Sequence, residues 1–316
     1  MRNLVVDNLK KDTLLSNYIK KEFPSIVMSK FYMALRRKDI RVNDIKINSD
    51  VLVSNGDKLT IYINDEFLYN ISKKIDVIYE DENIFVVFKE QGLLTNDETK
   101  KSTEPTLETI VKEKFSNYIL MHRLDRNTSG LVIFAKNKDA ENEMFDAFKN
   151  GYINKYYTAY VSNSKFSKMH KILENYLLED KMTQSSKIFE RKVENAQKIV
   201  TEYEVIKKDD ILDYAILKVK IHTGKTHQIR SVMNYINHPI IGDSKYGRNE
   251  INKKFNVFKQ LLFATCYTFN FPDDYKLSYL NKIEIKLNDS YIKKHIGSDI
   301  FGKWRWISDT WKRKEF

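Results

Sequence analysis

The stretch His122-Arg123-Leu124-Asp125-Arg126-Asn127-Thr128-Ser129-Gly130 runs straight into the apolar segment Leu131–Ala135. It reads as a polar loop entering a buried strand, with Asp125 near its centre. Arg123 and Arg126 flank that carboxylate closely enough to hold it ionised. Asn127, Thr128 and Ser129 are suited to hydrogen-bond the loop's own backbone, and Gly130 permits an unusual φ or a close backbone approach. A fixed, ionised carboxylate among basic residues is equipped to be a nucleophile, a general base or a metal ligand. A structural Asp–Arg pair in a turn has the same composition.

Two further segments belong beside it. Gly224-Lys225-Thr226-His227-Gln228-Ile229-Arg230 leads to Asn237-His238-Pro239-Ile240-Ile241-Gly242-Asp243 and then Tyr246-Gly247. Thr226 predicts the cap of a helix Thr226–Tyr235 that carries His227 and Arg230 on neighbouring positions of one face. A basic, partly buried helix face suits phosphates or a carboxylate such as Asp125. Gly242-Asp243 and Tyr246-Gly247 read as turns. Lys155–Val161 alternates as a strand that turns either Tyr156 or Tyr157 inward, where an aromatic packs or stacks on a base.

Residues 11–64 form a small unit of their own. Leu14, Leu15, Tyr18 and Ile19 recur at helical spacing until Phe23-Pro24 breaks the pattern. Ser29 predicts the cap of a second helix, Lys30–Lys38, and short strands follow at Ile40–Val42 and Lys58–Ile63, with a turn at Asn55-Gly56-Asp57. Lys30, Arg36, Arg37, Lys38 and Arg41 gather on that helix and the strand after it.

Beyond a linker at 65–75 the pattern is rich in strands: Val77–Tyr79, Ile84–Lys89, Leu131–Ala135, Tyr157–Val161, Thr201–Lys207, Tyr214–His222 and Lys282–Ile285. Helices are predicted at Leu107–Phe115, Lys138–Lys149 and Thr226–Tyr235. The polar, Lys- and Ser-rich region 162–198 reads as a surface excursion. This mixture predicts an α+β fold with a large mixed, mostly antiparallel sheet, preceded by a small α/β domain. The expected boundaries are a first domain at 1–70, a linker at 71–75, a large domain at 76–290 and a tail at 291–316. That tail places Trp304, Trp306 and Trp311 among lysines and arginines, and docking on the large domain is the expected way to shelter three Trp.

Composition bounds the remaining possibilities. Hydrophobic residues make up 42% of 316, enough for a sizeable core and against global disorder. The 54 Lys+Arg exceed the 43 Asp+Glu, a net charge of +11 that favours phosphate contacts. A composition heavy in Lys, Asn, Ile and Tyr yields the same excess without a polyanionic partner. The single Cys266 excludes an internal disulfide, and no Cys/His cluster has zinc-site spacing. No P-loop or dinucleotide fingerprint is present. No apolar run approaches ~18 residues and the start has no long apolar signal region, so the chain reads as soluble and cytoplasmic, without membrane attachment.

Taken in order, the three chemistry-bearing segments closely resemble the RluA-type family of pseudouridine synthases over about residues 74–272. H-R-L-D-x-x-T-S-G with its apolar strand is the specific part. The T-G-R-T-H-Q-I-R…G-H-P-I-x-G-D…Y-G pattern is matched with Lys225 and Asn237 at the Arg and second Gly places. Val232 stands where His is frequent, the K-x-A-x-T stretch is only loosely met by Gln197–Thr201, and L-H-A appears as Leu262-Phe263-Ala264. The N-terminal unit resembles the S4 RNA-binding domain through Ser29-Lys30, Ala34-Leu35, Arg41-Val42-Asn43 and Gly56-Asp57, with Asp44 in place of the usual Gly.

The resemblance implies isomerisation of specific uridines in structured RNA, ribosomal RNA ahead of transfer RNA, without cofactor or metal. It implies Asp125 as the catalytic carboxylate, Arg230 as its basic partner and Tyr157 as the aromatic that stacks on the flipped base. Whether Asp125 attacks sugar or base, or removes a sugar proton, is left open by residue type. Arg123 and Thr128 are implied to bind the substrate strand, with Lys30, Arg36, Arg37 and Arg41 adding phosphate contacts from the S4-like domain. No obligate protein partner is implied, and the chain is expected to be a monomer. The competing readings are a non-catalytic RNA-binding or ribosome-assembly factor on the same fold, and a nucleoside hydrolase or glycosylase. An intact carboxylate argues against the binder, because a negative group facing phosphates weakens affinity.

Overall fold

The computed structural model describes residues 2–23, 26, 28–63, 75–97, 105–115, 118–180, 182–183, 185–288 and 290–292. The chain divides into two units, Met1–Ile75 with Gly92–Ile110, and Asp76–Gln91 with Val111–Phe316. Residues 65–74 of the expected linker, and 293–316 of the tail with the expected docking of Trp304, Trp306 and Trp311, lie outside the described residues.

In the first unit the elements run β1 (Arg2–Val5), β2 (Thr13–Leu14), α1 (Leu15–Glu22), α2 (Met28–Arg36), β3 (Ile40–Val42), β4 (Ile45–Ile47), β5 (Leu52–Val53) and β6 (Lys58–Ile61). Helical spacing puts Leu15, Tyr18 and Ile19 of α1, and Phe31, Ala34 and Leu35 of α2, into the core. Strands pair in the order β1-β6-β3-β4, with β2 on β5. Helix α2 begins at Met28, so Ser29 lies inside it rather than capping it.

The second unit is built on β7 (Asp76–Glu80), β8 (Ile84–Lys89), β9 (Ile119–Leu120), β10 (Ser129–Ala135), β11 (Ile153–Ser162), β12 (His170–Asp180), β13 (Ser185–Phe189), β14 (Gln197–Asp209), β15 (Tyr214–Ile221), β16 (Leu262–Phe269) and β17 (Ile285–Lys286). Helices are α3 (Leu107–Phe115), which straddles the two units, α4 (Lys138–Asn150), α5 (Gln228–Tyr235) and α6 (Asn249–Phe255). Among the described residues the strands form one eleven-stranded sheet, β13-β12-β14-β15-β11-β16-β10-β8-β7, with β17 added on β16 and β9 on β10. The fold is α+β and the sheet mostly antiparallel, as the sequence predicts; β10 and β16 run parallel.

β8 and β10 are buried at every position, which is why they read as continuous apolar runs rather than alternating ones. Helix α4 packs Ala140, Met144 and Ala147 into the same core. Its ends match its sequence: the Asn137 side chain accepts from the Ala140 N–H at 2.9 Å, and Gly151 closes it in the left-handed conformation.

Two expectations are corrected here. Region 162–198 is not only a surface excursion, because β12 and β13 extend the sheet within it. β12 buries Leu173, Asn175 and Leu177 on one face, while Ile172, Tyr176 and Leu178 on the other are apolar and Asn175 on the buried face is polar, which masks the period in the sequence. The predicted strand Lys282–Ile285 is a 3-10 turn at Lys276–Lys282 followed by the two-residue β17.

The position of β16 decides the layout. It lies between β10 and β11, and Ala264 is in register with both Gly130 and Tyr157. Gly130 has φ +128, and a Cβ on it would fall 2.3 Å from the Ala264 carbonyl oxygen. Both properties expected of Gly130 are therefore present at once.

Candidate active site

The loop before β10, strand β11 and helix α5 enclose a cavity of about 390 Å³ whose lining includes Arg123, Asp125, Lys155, Tyr157, His227 and Arg230. The three segments that stood out in the sequence therefore meet. Asp125 sits where the loop tightens, with the Thr128 N–H donating to the Asp125 carbonyl at 3.0 Å.

Arg230, on α5, donates from Nη1 to Asp125 Oδ2 at 3.0 Å. The same guanidinium donates from Nε and Nη2 to the two oxygens of Asp243, at 2.7 and 3.1 Å. Side-chain exposure falls from 24% at Asp125 to 6% at Arg230 and 0% at Asp243, so the chain of charges runs from the cavity into the core. Burial opposes the Arg230 charge, but Asp243 and Asp125 outweigh it and hold the guanidinium above its usual range. Burial likewise pushes Asp243 up, and hydrogen bonds from Arg230 and from the Tyr246 and Lys245 backbone N–H groups more than reverse it. Gly242, next to Asp243, packs directly on the backbone at Lys259: its φ is +80, and a Cβ would lie 1.9 Å from the Lys259 carbonyl oxygen.

Helix α5 starts at Gln228, not Thr226, and His227 precedes it with φ 57. Thr226 does not cap it, and its carbonyl accepts from the Ser186 hydroxyl at 2.9 Å. His227 Nε2 is 3.8 Å from Asp125 Oδ2, while Nδ1 is 3.0 Å from the Tyr246 hydroxyl. That hydroxyl also accepts from the Ser186 N–H at 2.6 Å, so Tyr246 ties the residue before α5 to β13. Burial first, and Arg230 with Lys245, lower the His227 pKa despite Asp125.

Of the two candidate tyrosines on β11, Tyr157 faces the cavity and is 7% exposed. Burial, reinforced by Asp125, raises its pKa well above the usual phenol value, so it keeps its proton at neutral pH. Tyr156 lies in a second cavity instead, with the Lys218 ammonium 4.8 Å from its ring. Arg123 is exposed at the cavity rim, whereas Thr128 is buried and its hydroxyl accepts from Gln260 Nε2 at 3.0 Å.

His122 plays a scaffolding part. Its Nε2 accepts from the Ile133 N–H at 3.1 Å, and desolvation with the nearby Lys155 ammonium pushes its pKa down to about 3. Lys89 ends the apolar strand β8 fully buried, and its ammonium donates to the Arg126 and Glu90 carbonyls at 3.0 and 3.1 Å, bracing the Asp125 loop. Sequence reading missed this lysine, and the available signal was a charge closing an otherwise unbroken apolar run. It also read Asp243 and Tyr246 only as turn residues.

The basic residues of the first unit are placed on α2, the turn after it and β3. Arg36 and Arg37 are exposed, Lys30 is half-buried, and the Arg41 guanidinium lies 5.6 Å from the Tyr62 ring centroid.

An inward-facing carboxylate pinned by a core-anchored arginine, opposite a buried tyrosine on a long mixed sheet, defines a site for acid–base or nucleophilic chemistry on a planar ligand. The family model described as RNA pseudouridylate synthase matches residues 83–235. An uncharacterized RNA pseudouridine synthase of Mycoplasma capricolum is 29% identical over 93% of this chain and 100% of its own. The ribosomal large subunit pseudouridine synthase C of Rickettsia felis is 31% identical over 78% of this chain and 86% of its own. Among solved structures, human RNA pseudouridylate synthase domain containing 1 shares the fold, with TM-score 0.57 and 19% identity over 71% of this chain and 88% of that one. The chain belongs to the RluA-type family of RNA pseudouridine synthases. It is an isomerase acting on RNA, and the non-catalytic binding factor is not favoured.

Proposed function

We propose that the Asp125 cavity isomerises uridines of ribosomal RNA, in preference to transfer RNA, with Asp125 as the catalytic carboxylate. The observation that carries this is the Asp125–Arg230 pair, anchored by buried Asp243 and facing Tyr157 across one cavity. The reaction breaks N1–C1′ and forms C5–C1′, and the proton on C5 moves to N1, so nothing is oxidised or reduced. Arg230 fixes the rotamer of Asp125 through its charge-assisted hydrogen bond to Oδ2. Tyr157 gives the flipped base an aromatic face, worth ~1–3 kcal/mol, which offsets part of the few kcal/mol that unstacking costs. Arg123 at the rim contacts the strand, and Thr128 supports the loop behind it. The ribosomal preference is supported by the name of the Rickettsia felis relative.

Residues 1–70 serve as an S4-like RNA-binding module in this reading, with Lys30, Arg36, Arg37 and Arg41 on phosphates, joined through 71–75 to a catalytic domain at 76–290. Linking two binding surfaces raises effective concentration without altering the chemistry. In this reading the chain acts as a monomer in the cytoplasm.

The test is uridine-isomer mapping of total RNA from cells lacking the chain, rescued with wild type, Asp125→Asn, or Arg36→Ala/Arg37→Ala. A ribosomal position is expected to disappear, to return only with an intact Asp125, and to return in part with the double variant. Full rescue by Asp125→Asn overturns the role of that carboxylate. Loss confined to transfer RNA overturns the ribosomal assignment.

A further inference from the structure

Lys155 reaches the Asp125 cavity from the same face of β11 as Tyr157, two residues along the strand. Its ammonium lies 5.7 Å from the Phe148 ring centroid and 3.7 Å from where a Cβ on Gly224 would stand. It is therefore held between a hydrophobic wall and the backbone that leads into α5. The side chain is half-buried, and among the described residues no carboxylate pairs with it. The other inward cation of the cavity, Arg230, is committed to Asp125 and Asp243.

A desolvated ammonium without a counter-charge is unfavourable, and burial does lower its pKa. Such a charge persists in a binding cavity when the ligand supplies the anion. A nucleotide whose base rests on Tyr157 brings one anionic group with it, its phosphate, separated from the base only by the sugar. Two residues of strand span about 6.6 Å, which places Lys155 on the scale of that separation. We propose that Lys155 is the phosphate-binding residue for the nucleotide seated on Tyr157, drawing that nucleotide's backbone into the cavity. The inference rests on the assignment of the cavity to uridine isomerisation, and names a subsite within it.

The test compares wild type, Lys155→Met and Lys155→Arg on an unmodified transcript of large-subunit ribosomal RNA. For Lys155→Met the KM is expected to rise about tenfold or more, as loss of a charge-assisted hydrogen bond implies, while kcat stays within about threefold. The plot of log affinity against log salt should flatten by about 0.7, the share of one phosphate on a single strand. Lys155→Arg should restore the slope. Lys155→Met should melt no lower than wild type, because it removes a half-buried charge that no carboxylate pairs with among the described residues. An unchanged salt slope with a raised KM would mean a contact to an uncharged oxygen of the nucleotide and overturn the phosphate assignment. A lowered melting temperature with unchanged slope would make Lys155 a structural residue. Should wild type itself convert no uridine in the transcript, the substrate reading fails and this inference falls with it; the wild-type reaction separates the two failures.

Discussion

Asp243 holds Arg230 at two points, Nε and Nη2, and leaves the third donor, Nη1, directed at Asp125. Planar guanidinium geometry makes the three contacts interdependent. The fork that fits Asp243 also fixes where Nη1 points, which a lysine at this position cannot do. Asp243 in turn is oriented by the backbone N–H groups of Lys245 and Tyr246, at 2.8 and 3.0 Å. A turn far along the chain thus sets the orientation of the carboxylate in the cavity.

Asp243→Asn is expected to lower kcat by about a hundredfold, the scale of a small misplacement of a reacting group, with KM little changed. The same variant should lose ~3–5 kcal/mol of stability, since a buried guanidinium is left short of counter-charge. Single-turnover pseudouridine formation and urea unfolding read the two effects. A wild-type kcat in the folded variant would show that Arg230 needs no anchor.

Gly130→Ala is expected to cost at least ~2 kcal/mol, because a side chain there meets both an unfavourable φ and the backbone of Ala264. The denaturant midpoint checks it. A shift worth under ~0.5 kcal/mol would show that β10 and β16 can separate without penalty.

Lys89 gives a prediction in pH. Burial, with a smaller push from Arg126 and an opposing pull from Asp125, lowers its pKa to about 7. The unfolded lysine titrates near 10.4. Between these values the unfolded chain binds more protons than the folded one, so stability rises with pH across about 7–10 and the penalty is fully present below 7. The stability difference between wild type and Lys89→Met should therefore grow in favour of wild type from pH 7 to 10. Denaturant unfolding at several pH values measures it, and a constant difference would show that Lys89 stays charged throughout.

The residues that came together were those carried by strong local pattern. The loop 122–130 announces itself through a dense polar run against an apolar strand, and Arg230 through its place on a short amphipathic helix. Residues that complete the site through distant backbone were not legible. Asp243 and Tyr246 have the composition of turns, and only the fold sets them under Arg230 and against His227. Strands β12 and β13 were missed because they lie toward the sheet's edge, where apolar residues on the outward face and polar ones on the buried face dilute the alternation. The start of α5 was misplaced for a local reason, since His227 adopts a left-handed conformation that residue type alone does not announce.

The placement of β16 bears on how the protein is made. Strands β10 and β11 are close in sequence, yet residues 262–269 must insert between them before Gly130 and Tyr157 acquire their shared neighbour Ala264. During synthesis, a nascent chain that has passed residue 235 but not reached 262 carries the aspartate, the tyrosine and the arginine but leaves two open sheet edges between them. Such a fragment is inactive and prone to pair with other chains. Termination between the end of the Arg230 helix and residue 262 therefore yields an aggregation hazard rather than a weakened enzyme.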